Sequence, residues 1–251
     1  MLSAGDVATI SSGPAPAAPR ATPGEVHVWL ASLTATPGAR RALWEILDEN
    51  ERARALAFRF PVHRQRFVAA RGTLRLILGR YLGHAPARLR LGADPNGKPV
   101  LASGALDLQF NVSHSEDLAI FAVAQGRQVG VDVERVRGDL DIEAIARRTF
   151  SALEVDALWS LPRPSRTSAF FACWTLKEAY LKARGDGLAV PLDAFAVSIG
   201  AGGPARLLEV RGAPEDPRRW SLRTLAVDGP YQAAVAVEGH DWHLRQWRWT
   251  G

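Results

Sequence analysis

The chain has 251 residues, of which 47% are hydrophobic and 23% charged, and its net charge is +5. This composition is typical of a folded globular protein, and no run of about 18 apolar residues predicts a membrane-spanning helix. The single cysteine, Cys173, excludes an internal disulfide, so we expect a reducing, cytoplasmic location. The length allows one large domain or two halves of roughly 110 to 120 residues.

Arginine supplies almost all of the positive charge, because the only lysines are Lys98, Lys177 and Lys182. Its planar fork binds phosphates and carboxylates, so an anionic small molecule, an acidic protein or a nucleic acid would suit this chain. Charge alone does not choose among these three classes of partner.

The N-terminal half is predicted to span residues 25–128, after a leader over residues 1–24. The leader is rich in Ala, Ser, Pro and Gly without apolar periodicity, which predicts disorder. Apolar periodicity then predicts a strand over Glu25–Leu33, helices over Ala39–Phe58 and Arg64–Leu82, and strands over Leu106–Val112 and Leu118–Ala124. Between the second helix and the next strand, Asp94–Pro99 has the residues of a turn.

The C-terminal half, residues 129–251, begins with an alternating strand, Val129–Arg135. Its three valines share one face, so Gly130, Asp132 and Glu134 share the other. Two acids this close repel each other unless a cation or a proton is shared, although a solvated face or two salt bridges are the simpler alternative. The later predicted elements are helices over Ile142–Thr149 and Phe170–Leu188, a capping box at Ser151–Glu154, and strands over Ala194–Ile199, Ala205–Val210, Ser221–Val227, Gln232–Val237 and Trp242–Trp249.

The predicted helix over Phe170–Leu188 adds a third acid. Glu178 and Lys182 lie one turn apart on one stripe, and a surface ion pair explains them if the helix is considered alone. Together with the acid pair and with His114 at a strand end, Glu178 and Lys182 instead predict a site for a metal ion and a phosphate. Three converging carboxylates form a hard oxygen site suited to Mg²⁺, with lysines and His114 holding phosphate oxygens.

The two halves also resemble each other. At an offset of 103 residues, Val26 aligns with Val129, Val28 with Val131, Glu51 with Glu154 and Phe67 with Phe170. Residues 124–126 and 237–239 then align at an offset of 113. This repeat predicts two similar halves related by a pseudo-twofold axis, with a ligand site in the cleft between them.

Three segments resemble the 4′-phosphopantetheinyl transferases of the Sfp type, which activate carrier proteins of fatty-acid, polyketide and nonribosomal peptide synthesis. They are Phe110–Ser115 (Phe-Asn-Val-Ser-His-Ser), Gly130–Glu134 (Gly-Val-Asp-Val-Glu) and Phe170–Lys182 (Phe-Phe-x-x-Trp-x-x-Lys-Glu-Ala-x-x-Lys). The resemblance implies a monomeric α+β fold in which each half is a small antiparallel sheet packed with a long helix. It also implies transfer of the phosphopantetheine arm of coenzyme A to a serine of an apo acyl or peptidyl carrier protein. The reaction would depend on Mg²⁺ or Mn²⁺ and release adenosine 3′,5′-bisphosphate.

The same resemblance implies roles for individual residues. Asp132, Glu134 and Glu178 look like the metal ligands. Glu178, Lys177 or a metal-held water would accept the serine proton, and Lys182 would stabilise charge on the pyrophosphate. The residues implied to contact coenzyme A are Arg52, Arg64, Gly97, Lys98, Pro99, Ser113, His114, Asp132 and Lys182. Ala55 departs from the pattern, since some relatives have a second lysine there; Arg54, Arg64 or Arg66 would compensate.

An acidic carrier protein is expected to dock near Arg135–Phe150, where Arg147 and Arg148 supply charge and Phe150 an apolar anchor; an ordinary solvated helix is the alternative. A metal-dependent nuclease or phosphohydrolase remains a rival enzyme class, and a non-enzymatic binding module a third possibility. A nucleic acid is not predicted as a partner, because the chain lacks basic runs interleaved with aromatic residues. A membrane is not predicted either, because no apolar run is long enough to span one.

Overall fold

Two small sheets and two long helices organise the computed structural model, which describes residues 15–102, 107–185, 190–200 and 203–251. The helices α1–α7 are Pro37–Glu45, Glu49–Leu56, Pro61–Leu82, Ile142–Thr149, Ala152–Ser160, Arg163–Arg184 and Asp216–Arg219. The strands β1–β11 are Glu25–Ser32, Leu91–Ala93, Pro99–Leu101, Leu108–Ser115, Leu118–Gln125, Val129–Arg135, Phe195–Val197, Leu207–Val210, Trp220–Thr224, Tyr231–Glu238 and His243–Arg248. The predicted α+β class is confirmed. No described helix has both the length and the hydropathy needed to cross a membrane.

The first sheet has the strand order β11-β1-β5-β4 and the second has the order β6-β10-β9. All pairs in them are antiparallel except β1 with β11, which run parallel with Glu25 opposite His243. The division of the chain into halves at residues 128 and 129 stays a prediction. The last strand, β11, does not follow this division, because it belongs to the sheet of the first half.

The helices depart from the sequence predictions where capping residues decide their ends. The predicted helix Ala39–Phe58 is two helices, because Asp48 and Glu51 form a capping box that starts α2. The helix α3 begins at Pro61 and α6 at Arg163, both earlier than predicted, and each ends at a glycine with a positive φ, Gly83 and Gly185. Predictions that involve residues 1–14, Leu106, Gly187 and Leu188 lie outside the described residues. The predicted disordered leader is wrong for its last part, because Ala15 and Ala21 pack against the core between β1 and α3.

The internal repeat is visible in a buried ionic contact that each half contains. In the first half, Glu51 at the start of α2 binds Arg71 and Arg75 of α3, with N···O distances of 2.5 and 2.6 Å. In the second, Glu154 at the start of α5 binds Lys177 of α6 at 2.6 Å. Both acids are the third residue of their helix and close its capping box. The two helices have 22 residues each and their bounds correspond at an offset of 102, one residue less than predicted.

The strand β6 packs on both faces, against other strands on one and against α6 on the other. Its valines are fully buried against β1, β5 and β10. On its other face, Gly130 lies directly beneath α6, where a Cβ would overlap the backbone of Ala179 and Ala183. The glycine therefore admits the helix rather than a ligand, and this close approach brings α6 over Asp132 and Glu134.

Candidate active site

The edges of the two sheets meet along a seam, which we define as three hydrogen bonds from backbone amides of β6 to side chains of β4. The pairs are Val131 with Asn111 at 2.9 Å, Val133 with Ser113 at 3.4 Å, and Arg135 with Ser115 at 3.1 Å. Since strand side chains two residues apart share a face, one face of β4 satisfies three amides at the edge of β6. The seam fixes the register of β6 relative to β4, and therefore the positions of Asp132 and Glu134 relative to β4.

Asp132 is at the centre of the site and is only 2% exposed. Its Oδ1 accepts hydrogen bonds from the Ser113 hydroxyl at 2.8 Å and from the Lys182 ammonium at 2.6 Å. Lys182 also donates to Ser113 at 3.0 Å. The other oxygen of Asp132, Oδ2, is buried without a hydrogen-bond partner among the described residues. A buried carboxylate oxygen without a partner is costly, so this atom favours a further positive group.

Glu134 and Glu178 complete what we call the carboxylate cluster, Asp132, Glu134 and Glu178. Burial and then the charge of Asp132 raise the pKa of Glu134, against the hydrogen bond that Ser115 donates at 2.9 Å. Burial and the charge of Asp132 also raise the pKa of Glu178, against the charge of Lys182. The three predicted acids therefore share one electrostatic environment, in which negative charge is in excess.

The donor set fits a divalent cation by its chemistry, because hard carboxylate oxygens surround an atom that has no partner. As the side chains stand, however, no group of three or more His, Cys, Asp or Glu residues in the described parts of the chain is arranged to hold a metal ion. The ammonium of Lys182 contacts Asp132 and supplies the positive charge there. Binding of a cation would thus require at least one glutamate side chain of the cluster to turn toward Asp132.

This excess of charge gives a prediction for Glu178. Because its pKa is raised, the folded state favours the protonated carboxyl, so the stability that it contributes is present at low pH and is lost as the pH rises through the folded-state pKa. At neutral pH with a chelator, Glu178→Gln should therefore raise the melting temperature by about 2–4 °C, the shift that roughly 1 kcal/mol produces at this size. Differential scanning calorimetry at pH 4 and pH 7 measures this effect.

The matched control is Glu209→Gln, which makes the same change at an exposed position of β8. It should shift the melting temperature little at either pH. An equal gain for Glu178→Gln at pH 4 and pH 7 would contradict the electrostatic explanation.

Lys177 does not belong to the carboxylate cluster, contrary to its predicted catalytic role. Its side chain is 0% exposed and its Nζ donates to both oxygens of Glu154, at 2.6 and 2.7 Å, and to the Phe195 carbonyl at 2.6 Å. All three donor positions are thereby used. Lys177 therefore holds α5 and β7 against α6 rather than reaching a substrate.

The turn Asp94–Pro99 lies beside the C-terminal end of α6. Lys98 donates to the carbonyls of Lys182 at 2.9 Å and Val129 at 3.5 Å, and burial lowers its pKa. Asn96 donates to the Gly185 carbonyl at 2.6 Å. Lys98 and Asn96 also line a cleft of about 700 Å³ that extends past the C-terminal end of α6 to Asp216 and Trp220. Gly97, with φ at 84°, turns the chain before Pro99 begins β3.

Among the other predicted contacts for coenzyme A, His114 is exposed next to the cluster. Partial burial and the charges of Lys182 and Arg66 lower its pKa. Arg66, one of the three arginines expected to compensate for Ala55, binds Glu116 at 2.6 Å and Asp117 at 3.0 Å in the turn after β4. This turn follows Ser115, so Arg66 lies near the cluster.

Two predicted arginines are placed elsewhere. Arg52 donates to the carbonyls of Trp44 and Glu45 at the C-terminal end of α1, at 3.3 and 2.8 Å. Arg64 lines a separate hollow with Trp44 and Leu56. Neither is brought to the carboxylate cluster.

The sequence analysis missed Asn111 and Ser115, which build the seam. The signal is the spacing of the polar residues Asn111, Ser113 and Ser115 at every second position, whereas the predicted strand ends at Val112. The strand continues through Ser115 because its polar face has the β6 amides as partners.

Two family models match the chain: 4′-phosphopantetheinyl transferase, N-terminal, over residues 34–126, and the 4′-phosphopantetheinyl transferase superfamily over residues 128–236. The 4′-phosphopantetheinyl transferase HetI of Nostoc is 41% identical over 227 residues, which are 90% of this chain and 92% of HetI. The chain therefore belongs to the 4′-phosphopantetheinyl transferase superfamily.

Two further similarities are more distant. The 4′-phosphopantetheinyl transferase Sfp of Bacillus subtilis is 28% identical, and the match covers 78% of this chain and 89% of Sfp. A holo-[acyl-carrier-protein] synthase of Thermotoga maritima, known from its crystal structure, is 22% identical with a TM-score of 0.37, over 45% of this chain and 62% of that one. That score is too low to add to the family assignment.

Proposed function

We propose that this protein transfers the 4′-phosphopantetheine arm of coenzyme A to a serine of an apo acyl or peptidyl carrier protein, in the presence of Mg²⁺, and releases adenosine 3′,5′-bisphosphate. The observation that carries the proposal is the contact of Lys182 with the buried Asp132 at 2.6 Å, beside Glu134 and Glu178. The relatives HetI and Sfp are named as 4′-phosphopantetheinyl transferases, which supports the same activity.

In the proposed reaction, the carrier serine oxygen bonds to the phosphorus that carries the pantetheine arm. The bond from this phosphorus to the bridging oxygen breaks, and adenosine 3′,5′-bisphosphate leaves with that oxygen. Glu178 of the carboxylate cluster accepts the proton of the serine hydroxyl. Lys182 moves from Asp132 to the leaving phosphate, where its charge opposes the negative charge that develops.

The other side chains hold coenzyme A in this proposal. His114 is exposed beside Lys182 and contacts a phosphate, and Lys98 and Pro99 border the adenine. Asp132, Glu134 and Glu178 would hold the magnesium ion, which supplies positive charge to the pyrophosphate when it is bound.

The direct test is incubation of the protein with an apo carrier protein, coenzyme A and Mg²⁺, followed by mass spectrometry of the carrier. We expect the carrier to gain the mass of one phosphopantetheine, and adenosine 3′,5′-bisphosphate to form in equal amount. No gain in mass on carriers of either the acyl or the peptidyl type would refute the proposal. Cleavage of coenzyme A without a modified carrier would instead favour a phosphohydrolase.

The carrier is proposed to dock on α4, although not through Phe150. That side chain is 4% exposed and stacks on Phe170 in the core, so it is unavailable as the predicted apolar anchor. Arg147 remains half exposed and pairs with Glu143 at 2.9 Å. Since surface charges mainly change the rate of association, Arg147→Glu with Arg148→Glu should raise the KM for an acidic carrier by about tenfold.

The KM for coenzyme A should stay unchanged in this double variant, measured under saturating carrier. The matched control is Arg206→Glu with Arg211→Glu, which makes the same change of charge at exposed positions on either side of β8. Equal effects of the two double variants would show that net charge, rather than docking on α4, controls the KM.

A further inference from the structure

We propose that Ser115 is a positioning residue, which acts by holding Oε2 of Glu134 beside the backbone of β6, so that the carboxylate stays within reach of a divalent cation bound at Asp132. The inference rests on the proposed function, in which Glu134 is one of three acids that hold the cation. Ser115 lies on β4, across the seam from Glu134, and is half-buried.

The hydroxyl of Ser115 makes two hydrogen bonds that constrain each other. Its Oγ accepts from the amide of Arg135 at 3.1 Å and donates to Oε2 of Glu134 at 2.9 Å. A hydroxyl has one proton to donate, and here that proton points to the carboxylate. Because the accepted bond comes from the backbone of β6, the position of Oγ is set by the strand that carries Glu134. Ser115 thus links the flexible end of the Glu134 side chain to the backbone of β6, the strand that carries Glu134.

The neighbouring position on β4 shows the same arrangement. Ser113 accepts from the amide of Val133 and donates to Oδ1 of Asp132, so each serine contacts the acid that lies 19 residues later. Asn111 makes the equivalent bond to the Val131 amide. The residue 19 positions after Asn111 is Gly130, which has no side chain to orient. Asn111 therefore shares the joining role of the two serines without contacting an acid of the cluster.

Glu134 needs such a restraint because its surroundings repel it. Asp132 lies two residues away on the same face of β6 and carries a charge of the same sign, and the bond from Ser115 holds Oε2 of Glu134 at 2.9 Å. Without this bond, the carboxylate would gain free energy by turning toward solvent. Partners that orient a metal-binding carboxylate typically change metal affinity by 10–100-fold when they are removed.

The test is binding of Mn²⁺ to the full chain, measured by electron paramagnetic resonance in the presence of coenzyme A and without a carrier protein. We expect Ser115→Ala to weaken Mn²⁺ binding by about tenfold or more. Ser115→Thr keeps the hydroxyl and should retain an affinity near that of the wild type. Thermal melting of each variant reports the loss of stability separately from the loss of metal binding.

Two control variants separate positioning from a general structural effect. Asn111→Ala removes one bond of the seam and should lower the melting temperature while changing Mn²⁺ affinity much less than Ser115→Ala. Ser221→Ala removes a hydroxyl that donates to Gly239 at 2.6 Å and accepts from Trp242 at 2.7 Å, far from the cluster along the chain. It should leave Mn²⁺ affinity unchanged.

The inference is overturned if Ser115→Ala binds Mn²⁺ as tightly as the wild type, or if Asn111→Ala weakens binding equally. In both cases, a wild type that modifies its carrier leaves the proposed function intact. A wild type that neither binds Mn²⁺ nor modifies a carrier overturns the inference and the proposed function together.

Discussion

Replacing Asp132 by asparagine is expected to slow carrier modification by about 10²–10⁴-fold. Oδ1 of Asp132 is shared between Ser113 and Lys182, and Oδ2 is the buried oxygen without a partner. Asn keeps the size of the side chain and can accept the same bond from Ser113, but it removes the charge that attracts a cation. Stabilisation by a metal ion amounts to several kcal/mol, and each 1.36 kcal/mol corresponds to a tenfold change in rate.

The measurement is the initial rate of phosphopantetheine transfer, with the folded state of the variant checked by its melting curve. Asp156→Asn is the matched control, since Asp156 is exposed on α5 and loses the same charge. It should transfer at the rate of the wild type. Near-normal transfer by Asp132→Asn would mean that the cluster is not the centre of the reaction.

Replacing Lys177 by methionine is expected to reduce the free energy of unfolding by about 3–5 kcal/mol. The variant leaves the buried carboxylate of Glu154 without its ammonium partner, and removing one member of a buried ion pair costs this much. The backbone amides of Val197 and Ser151 still donate to Glu154, but they carry no full charge. Chemical denaturation with urea, followed by tryptophan fluorescence, measures the loss.

A second substitution tests the explanation. Lys177→Met combined with Glu154→Gln removes both charges while it keeps an acceptor for the Val197 amide, so the double variant should be more stable than Lys177→Met alone. The transfer rate per folded molecule should change little in either variant, because Lys177 does not reach the carboxylate cluster. A large loss of transfer in a fully folded Lys177→Met protein would restore the catalytic role that the sequence predicts.

Patterns with a local cause could be predicted from the sequence. The alternation in Val129–Arg135 identified β6 and the common face of Asp132 and Glu134, because strand side chains alternate. The spacing of Glu178 and Lys182 predicted that they share one face of α6, because helix residues four positions apart are neighbours. The capping box at Ser151 also marked the start of α5.

Features that depend on distant partners could not be predicted in this way. Lys177 adjoins Glu178 in sequence, yet successive helix residues point about 100° apart, since a turn has 3.6 residues. Only the position of Glu154 decides that Lys177 faces the core. Similarly, nothing local shows that Asn111 and Ser115 have the amides of β6 as partners, because that strand begins after another complete strand.

The parallel pairing of β1 with β11 has a consequence for how the protein is made. The strand β1 leaves the ribosome well before one of its two neighbours, which consists of residues 243–248. The ring of Trp29 in β1 also lacks its contact with Trp247 until then; in the folded protein, the two ring centroids are 4.9 Å apart. During synthesis, one edge of β1 stays open, and open edges invite pairing with other chains. Nascent chains shortened before residue 243 should therefore aggregate more readily than the full-length protein.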